Sequence, residues 1–244
     1  MDAIIKCTNI TKKYSATSTG GFLDDVIILN KVTFVAERNS MVAIIGSSGC
    51  GKSTLLNIIG LLDCQTEGEL EIDGESINIS KLNQIEICRI RNQKIGFVFQ
   101  SHNLLPELTA EMNIALPLLV RGESKANALK RARDLLEELF TPEELGTNIG
   151  RRPPAKLSGG QCQRIAIARA LVGNPSIILA DEPTGNLDES SADRVFSLLI
   201  DLQQRKKLSI VLVTHNLLQA KKIEKCFGIS HGVLSPVPPK EILI

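Results

Sequence analysis

Residues 41–60 read MVAIIGSSGCGKSTLLNIIG. The central run, Gly46-Ser47-Ser48-Gly49-Cys50-Gly51-Lys52-Ser53-Thr54, fills every fixed position of the phosphate-binding pattern G-x-x-x-x-G-K-[ST]. The spacing answers a physical demand. Phosphates carry several negative charges, and a tight loop can wrap them with backbone N–H groups. Glycines at 46, 49 and 51 allow positive φ and a close backbone approach. Lys52 then reaches the β- and γ-phosphates, and the Ser53 hydroxyl is placed to ligate Mg²⁺. The flanks agree: MVAII (41–45) is an apolar strand, and STLLNIIGLL (53–62) is a helix whose N-terminus faces the phosphates. A Gly-rich surface turn with a lysine would match the spacing but would not require this strand and helix around it.

A second motif lies downstream. Leu157-Ser158-Gly159-Gly160-Gln161 spells LSGGQ and leads into the helical run CQRIAIARALV (162–172). Average residue usage gives this pentapeptide by chance in only about 3 in 10,000 chains of this length. The two motifs in this order resemble the ATP-binding cassette (ABC) ATPase family, over nearly the whole chain. The resemblance implies an α/β fold: a P-loop NTPase core with an antiparallel β subdomain and an inserted helical subdomain, together one ATP-binding domain over residues 1–244. It also implies ATP and Mg²⁺ as ligands and hydrolysis of ATP to ADP and phosphate. In the family, LSGGQ closes over the nucleotide held by a second copy, so Ser158, Gly159, Gly160 and Gln161 would serve the partner's ATP and the working unit would be a homodimer. A Ser158 cap and a helix N-terminus suit that role, since both present N–H groups and partial positive charge.

The resemblance assigns further residues. Ser176–Glu182 is an apolar strand ending in two carboxylates, like Walker B. Asp181 would hold Mg²⁺, and Glu182 would be the general base for water. Gln100, ending KIGFVFQ (94–100), matches the Q-loop glutamine, which reaches Mg²⁺ and the attacking water. His215, ending SIVLVTH (209–215), matches the histidine that contacts the γ-phosphate. Asn186-Leu187-Asp188 matches the D-loop. Tyr14, the only tyrosine, ends the first strand-like segment, where the family stacks an aromatic on adenine. His102 and His231 read as ordinary residues. Arg38-Asn39-Ser40 departs from the family's glycine-containing turn, and Cys162 from a commonly polar position; neither removes a catalytic group.

Composition limits the partners. Of 244 residues, 28 are Lys or Arg and 27 Asp or Glu, a net charge of +1, which offers no strong attraction to nucleic acid. Aromatics at 3% leave little for base-stacking surfaces. Six cysteines show no close pair and no metal-ligand spacing, and read as reduced thiols. No apolar stretch approaches the roughly 18 residues that span a bilayer, and the N-terminus lacks the basic-then-apolar pattern of a secretory signal. Any role at a membrane would then run through a separate membrane subunit.

Along the chain, residues 3–36 read as strands around a Gly/Ser/Thr-rich loop at 15–21. Residues 66–77 read as a hairpin turning at Asp73-Gly74. Residues 101–157 are mainly helical, ELTAEMNIALPLLV (107–120) and SKANALKRARDLLEELF (124–140), and match the family's helical subdomain. Strand and helix then alternate to about residue 230.

Within the family, residues 91–122, GNLD at 185–188 and LLQAKKIEK after His215 resemble the LolD/MacB/FtsE branch, and LolD-type ATPases most. That resemblance implies a peripheral subunit on the cytoplasmic face of a bacterial inner membrane. It would power lipoprotein release through LolC/LolE-like permease subunits; the alternative is a MacB-type exporter of peptides, antibiotics or other small substrates. Two other classes fit less well. Chromosome- and repair-type ABC ATPases need a long coiled coil between Gln100 and Ser158, and residues 101–157 leave no room for it. A regulatory module without hydrolysis would not need Lys52, Asp181, Glu182 and His215 together.

Overall fold

The computed structural model describes residues 2–17, 23–79 and 81–242. In chain order the elements are β1 (Ala3–Thr17), β2 (Leu23–Glu37), β3 (Met41–Ile45), α1 (Lys52–Ile59), β4 (Glu67–Ile72), β5 (Glu75–Ile77), α2 (Gln84–Lys94) and β6 (Ile95–Phe99). There follow α3 (Ala110–Val120), α4 (Lys125–Leu139), α5 (Pro142–Gly146), α6 (Gly159–Leu171), β7 (Ile177–Asp181), α7 (Glu189–Lys206), β8 (Ser209–Thr214), α8 (Leu217–Ala220), β9 (Lys225–Ser230) and β10 (Val233–Pro236). The chain groups into two compact units, Met1–Cys88 with Gln203–Ile244, and Arg89–Leu202.

In the first unit β3 runs parallel to β8 on one side and to β9 on the other. Its last four residues and all of β8 are buried, which is why both read as continuous apolar runs rather than alternating ones. An antiparallel sheet in the order β2-β1-β4-β5 belongs to the same unit. The β4–β5 hairpin turns where the sequence places it: Asp73 and Gly74 have φ of 56° and 75°, the two positive values a type I′ turn requires. The turn at Arg38–Ser40 keeps a left-handed residue without glycine, because Asn39 takes φ 57°. Its backbone is held on both sides: Asn39 N–H donates to Ser209 Oγ at 2.9 Å and Gln203 Nε2 donates to Asn39 O at 2.7 Å.

Two expected boundaries shift in this unit. β1 continues past Tyr14 to Thr17, because Tyr14 still pairs with Val26 of β2. The helix after the phosphate loop stops at Ile59 rather than 62, because Gly60 caps it and Leu61 turns left-handed with φ 57°. Of the loop expected at 15–21, residues 18–21 lie outside the described residues.

In the second unit β6 and β7 pair in parallel, with Phe99 opposite Asp181. Helix α6 lies so close to β6 that a Cβ on Gly96 would sit 2.3 Å from Ala170 O. Helices α3, α4 and α6 pack on one another, and Ile114, Ala115, Leu118, Ala128, Ala132 and Leu136 are buried. The first of these helices begins at Ala110, not at 107: Thr109 is its N-cap, accepting the Met112 N–H at 3.3 Å. The segment before it is shaped by Asn113, which is fully buried. Asn113 Nδ2 donates to the carbonyls of Leu105, Leu108 and Thr109, and its Oδ1 accepts the Leu105 N–H at 2.8 Å.

Candidate functional site

Each unit holds one group of the candidate residues. In the first, the phosphate loop leaves β3 at Ile45, which pairs with Thr214 of β8 and Gly228 of β9. Gly46 and His215 therefore emerge together from the carboxyl ends of parallel strands, the place where open α/β sheets bind ligands. Ser47, Ser48, Gly49 and Ser53 are exposed, Cys50 and Thr54 half-buried, and His215 exposed. Gly46 is required for space rather than conformation: a Cβ there would lie 2.5 Å from Ile229 O. Gly51, at φ 107°, forms the N-cap of α1, and no side-chain oxygen caps that helix. The helix thus turns the positive end of its dipole to the loop without a carboxylate or hydroxyl of its own at the cap.

Lys52 is buried at 6% exposure, and its Nζ donates to Gly46 O at 2.9 Å and Ser47 O at 2.8 Å. Its ammonium is thereby held across the mouth of its own loop. Cys50 Sγ lies 4.0 Å from the same Nζ. A cleft of about 270 Å³ borders the loop, lined by Ser47–Cys50 and by Ser230, His231 and Gly232. His231, read from the sequence as an ordinary residue, thus shares a cleft with the phosphate loop.

Tyr14 is 45% exposed. Its hydroxyl donates to Asp63 Oδ2 at 2.7 Å, and Lys12 Nζ sits 4.6 Å from its ring centroid. Neither Asp63 nor Lys12 was marked by the sequence, since the three are joined only through sheet and helix packing.

In the second unit the register of β6 against β7 brings Gln100 and Glu182 off adjacent strand ends. The two side chains converge on one glycine. A Cβ on Gly185 would lie 2.8 Å from Gln100 Nε2 and 3.4 Å from Glu182 Oε2. Glu182 has φ 45°, a left-handed conformation uncommon for a residue that carries a Cβ, and its carbonyl accepts the Gly185 N–H at 3.0 Å. Strain of this kind concentrates at functional positions. Asp181, the last residue of β7, is half-buried beside it. Gln100 is held from the other side, its Nε2 donating to Asn186 Oδ1 at 3.0 Å and its carbonyl accepting from Asn186 Nδ2 at 3.3 Å.

Ser158 caps α6 with a reciprocal pair of bonds. Gln161 N–H donates to Ser158 Oγ at 3.2 Å, and Ser158 N–H donates to Gln161 Oε1 at 3.1 Å. The signature motif is therefore also a local folding unit. Gly159 and Gly160 are packed beside the D-loop and the start of α7: a Cβ on either would meet Leu187 Cδ2 at 3.3 Å or Ser191 Oγ at 3.1 Å. Asp188 Oδ1 accepts from Ser190 Oγ at 2.8 Å and from Ser191 N–H at 3.0 Å. Cys162, the departure after LSGGQ, is half-buried, with its thiol directed to Pro154 O at 3.6 Å.

His102, read from the sequence as an ordinary residue, has a structural place beside the signature motif. Its Nε2 lies 3.1 Å from Gly159 O, and since a carbonyl only accepts, that nitrogen carries the proton. Burial pushes its imidazole below the ordinary value, which favours the neutral form. His102 and Asn103 both have positive φ, and Arg169 donates to the carbonyls of both, at 2.7 and 2.5 Å. The chain leaving Gln100 is thus clamped to the signature helix. No pattern in the sequence signals this, because an isolated histidine and a helical arginine have many other uses.

Comparison with known proteins agrees with this architecture. The ABC transporter family profile matches residues 29–185. The chain is 42% identical over 231 residues to the lipoprotein-releasing system ATP-binding protein LolD of Blochmanniella floridana, covering 95% of this chain and 93% of that one. It is 38% identical to the LolD protein of Colwellia psychrerythraea strain 34H, covering 97% and 87%. Among solved structures it resembles the ATP-binding cassette MJ0796, a dimer in a post-hydrolysis state bound to ADP and Pi, with TM-score 0.83, 38% identity and coverage of 96% and 98%. These relatives do not favour the MacB-type alternative. The chain belongs to the ABC transporter ATPase family, with LolD-type proteins among its similar relatives.

Proposed function

We propose that this protein is the ATP-hydrolysing subunit of a lipoprotein-releasing ABC transporter. One observation carries the catalytic part: Gln100 and Glu182 converge on the same small space beside Gly185, an amide next to a carboxylate. That pairing suits a water held by Gln100 and deprotonated by Glu182. The water oxygen bonds to the γ-phosphorus, Glu182 accepts its proton, and the bond from phosphorus to the bridging oxygen breaks, leaving ADP with that electron pair and free phosphate. Lys52 and the N–H groups of residues 46–54 hold the phosphates, His215 contacts the γ-phosphate, and Tyr14 stacks on the adenine.

Ser53, Asp181 and Gln100 offer a hydroxyl, a carboxylate and an amide oxygen. Hard oxygen donors of this kind suit Mg²⁺, and these residues would hold it together with the substrate's phosphates. When bound, Mg²⁺ neutralises charge on the β- and γ-phosphates.

The chain acts as one ATP-binding domain, with residues 101–157 as its helical subdomain. Two copies form the working pair, each offering Ser158, Gly159, Gly160 and Gln161 to the partner's nucleotide. No described helix is long and apolar enough to cross a membrane. The protein sits at the cytoplasmic face of a bacterial inner membrane by docking on LolC/LolE-like permeases. The names of its relatives support the lipoprotein-releasing part of this reading. The docking surface is the loop 103–108 that Asn113 shapes, where Leu105 is 43% exposed and Leu104 and Leu108 are half-buried.

Depletion of the protein in its own host tests the reading. Outer-membrane lipoproteins should remain in the inner membrane, as membrane fractionation would show. Normal lipoprotein sorting after full depletion rejects the lipoprotein role and leaves the ATPase intact. Replacing Leu104 and Leu105 by aspartate should lower permease copurification while sparing ATP binding.

A further inference from the structure

Tyr14 stands in a small charged cluster. Its hydroxyl donates to Asp63 Oδ2 at 2.7 Å. The other carboxylate oxygen, Oδ1, accepts from Lys12 Nζ at 2.7 Å and from the Cys64 N–H at 2.7 Å. Lys12, 7% exposed, also donates to Cys64 O at 2.8 Å. Asp63 is itself anchored to the helix that follows the phosphate loop. Leu61 reverses the chain after α1, and the N–H groups of Leu62 and Asp63 donate to Asn57 O at 2.9 and 3.3 Å. A carboxylate tied to α1 thus holds the far end of a ring borne on β1.

The geometry has a consequence for stacking. An exposed tyrosine ring can occupy several staggered rotamers. A bond from its hydroxyl to a fixed carboxylate selects one of them. The Lys12 ammonium sits over the ring, 4.6 Å from the centroid, and so occupies one face. With the side chain still 45% exposed, an aromatic surface remains open to a flat ligand. A ring oriented before the ligand arrives does not lose that freedom on binding.

We propose that Asp63 is a positioning residue for nucleotide binding: with Lys12 it fixes the Tyr14 ring so that its open face receives the adenine. This rests on the reading of Tyr14 as the base-stacking side chain. The hydrogen bond leaves a spectroscopic mark. The bond to Asp63, helped by burial, pushes the Tyr14 phenol up to about 12. For Asp63, burial pushes the carboxyl up, but the bonds from Lys12, Tyr14 and the Cys64 N–H outweigh it and hold it below its ordinary value. The chain has one tyrosine and no tryptophan, so the phenolate absorption band that appears on ionisation reports on this phenol alone.

The test uses the full-length protein and the variants Asp63→Ala, Tyr14→Phe and Tyr14→Ala. Two ligands are compared by calorimetry: ADP, and inorganic tripolyphosphate, which has no base. Tyr14→Ala should weaken ADP binding roughly tenfold or more, as the loss of one base–aromatic stack does. Asp63→Ala should weaken ADP about three- to tenfold, the scale of one lost hydrogen bond, and leave tripolyphosphate binding at the wild-type value. In Asp63→Ala the phenol should ionise near the ordinary tyrosine value of about 10. Should Asp63→Ala not fold, Tyr14→Phe removes the same bond and keeps the ring, and should weaken ADP to the same degree. Wild-type ADP affinity in Asp63→Ala or Tyr14→Phe, alongside a weakened Tyr14→Ala, overturns the positioning role alone. So does an equal loss of tripolyphosphate binding, which would mark damage to the phosphate loop. Wild-type ADP affinity in Tyr14→Ala overturns the stacking reading, and the positioning role with it.

Discussion

Gln100 and Asn186, 86 residues apart, exchange two hydrogen bonds: side chain to side chain at 3.0 Å, and Asn186 Nδ2 to Gln100 O at 3.3 Å. The glutamine that faces Glu182 across Gly185 is therefore steered by the D-loop. Asn186→Ala removes both bonds, each of a kind worth about 1 kcal/mol. Turnover should fall about three- to tenfold, measured as phosphate release at saturating ATP. Unchanged turnover would show that Gln100 is held by other means.

Glu182→Gln keeps the shape of the side chain and removes its basicity. ATP hydrolysis should drop about 10²–10⁴-fold, the usual worth of a general base. Nucleotide binding should persist, and the variant should accumulate as an ATP-bound dimer in size-exclusion chromatography with light scattering. Near wild-type hydrolysis would remove Glu182 from the role of base.

The trans role of the signature motif has a complementation test. Lys52→Ala and Ser158→Arg chains should each be inactive alone, while circular dichroism shows both folded. In a mixed dimer one composite site combines the two defects and the other has neither, so activity should partly return on mixing. Normal ATPase activity of Ser158→Arg by itself would show that Ser158 does not serve the nucleotide and only caps α6.

Asp188 gives a pH signature. Bonds from Ser191 and from Ser190, with the Ser191 N–H, hold its carboxyl down at about 2 against an ordinary 3.8. A depressed value in the folded state means that the ionised form favours folding. Its contribution is complete above 3.8 and is lost as pH falls towards about 2. The stability difference between wild type and Asp188→Asn, from urea denaturation, should be constant near neutral pH and shrink across that acid window. A difference that does not change with pH would assign the effect of the substitution to something other than charge.

Asn113→Leu should destabilise the fold by about 2–4 kcal/mol, because the Leu105 N–H and three carbonyls lose their buried partner. Denaturant titration measures this. Permease copurification should fall as well, since Leu105 lies on the loop that Asn113 shapes. A wild-type unfolding midpoint would mean that the freed groups find water.

By itself the sequence determined what depends on neighbours along the chain. Phosphate binding is a local problem, solved by glycines, a lysine and a helix start within residues 46–54, so it is legible as a pattern. The same holds for the Ser158–Gln161 capping box, closed between residues three apart, and for the Asp73-Gly74 turn, where positive φ is needed at two consecutive positions. The apolar runs of β3, β7 and β8 are readable because strands buried on both faces need apolar side chains along most of their length.

Tertiary structure alone decided the rest. Asn39 replaces an expected glycine because Ser209 and Gln203, distant in sequence, hold its backbone in place. Helix α3 starts late because Asn113 binds the preceding loop, and His102 becomes part of the signature region because Arg169 clamps the chain after Gln100. The partners Tyr14 and Asp63, and Gln100 and Asn186, meet only when strands and helices pack. Such contacts depend on where the chain goes in space; each residue taken alone carries a side chain with many ordinary uses, and only the packed fold selects one of them.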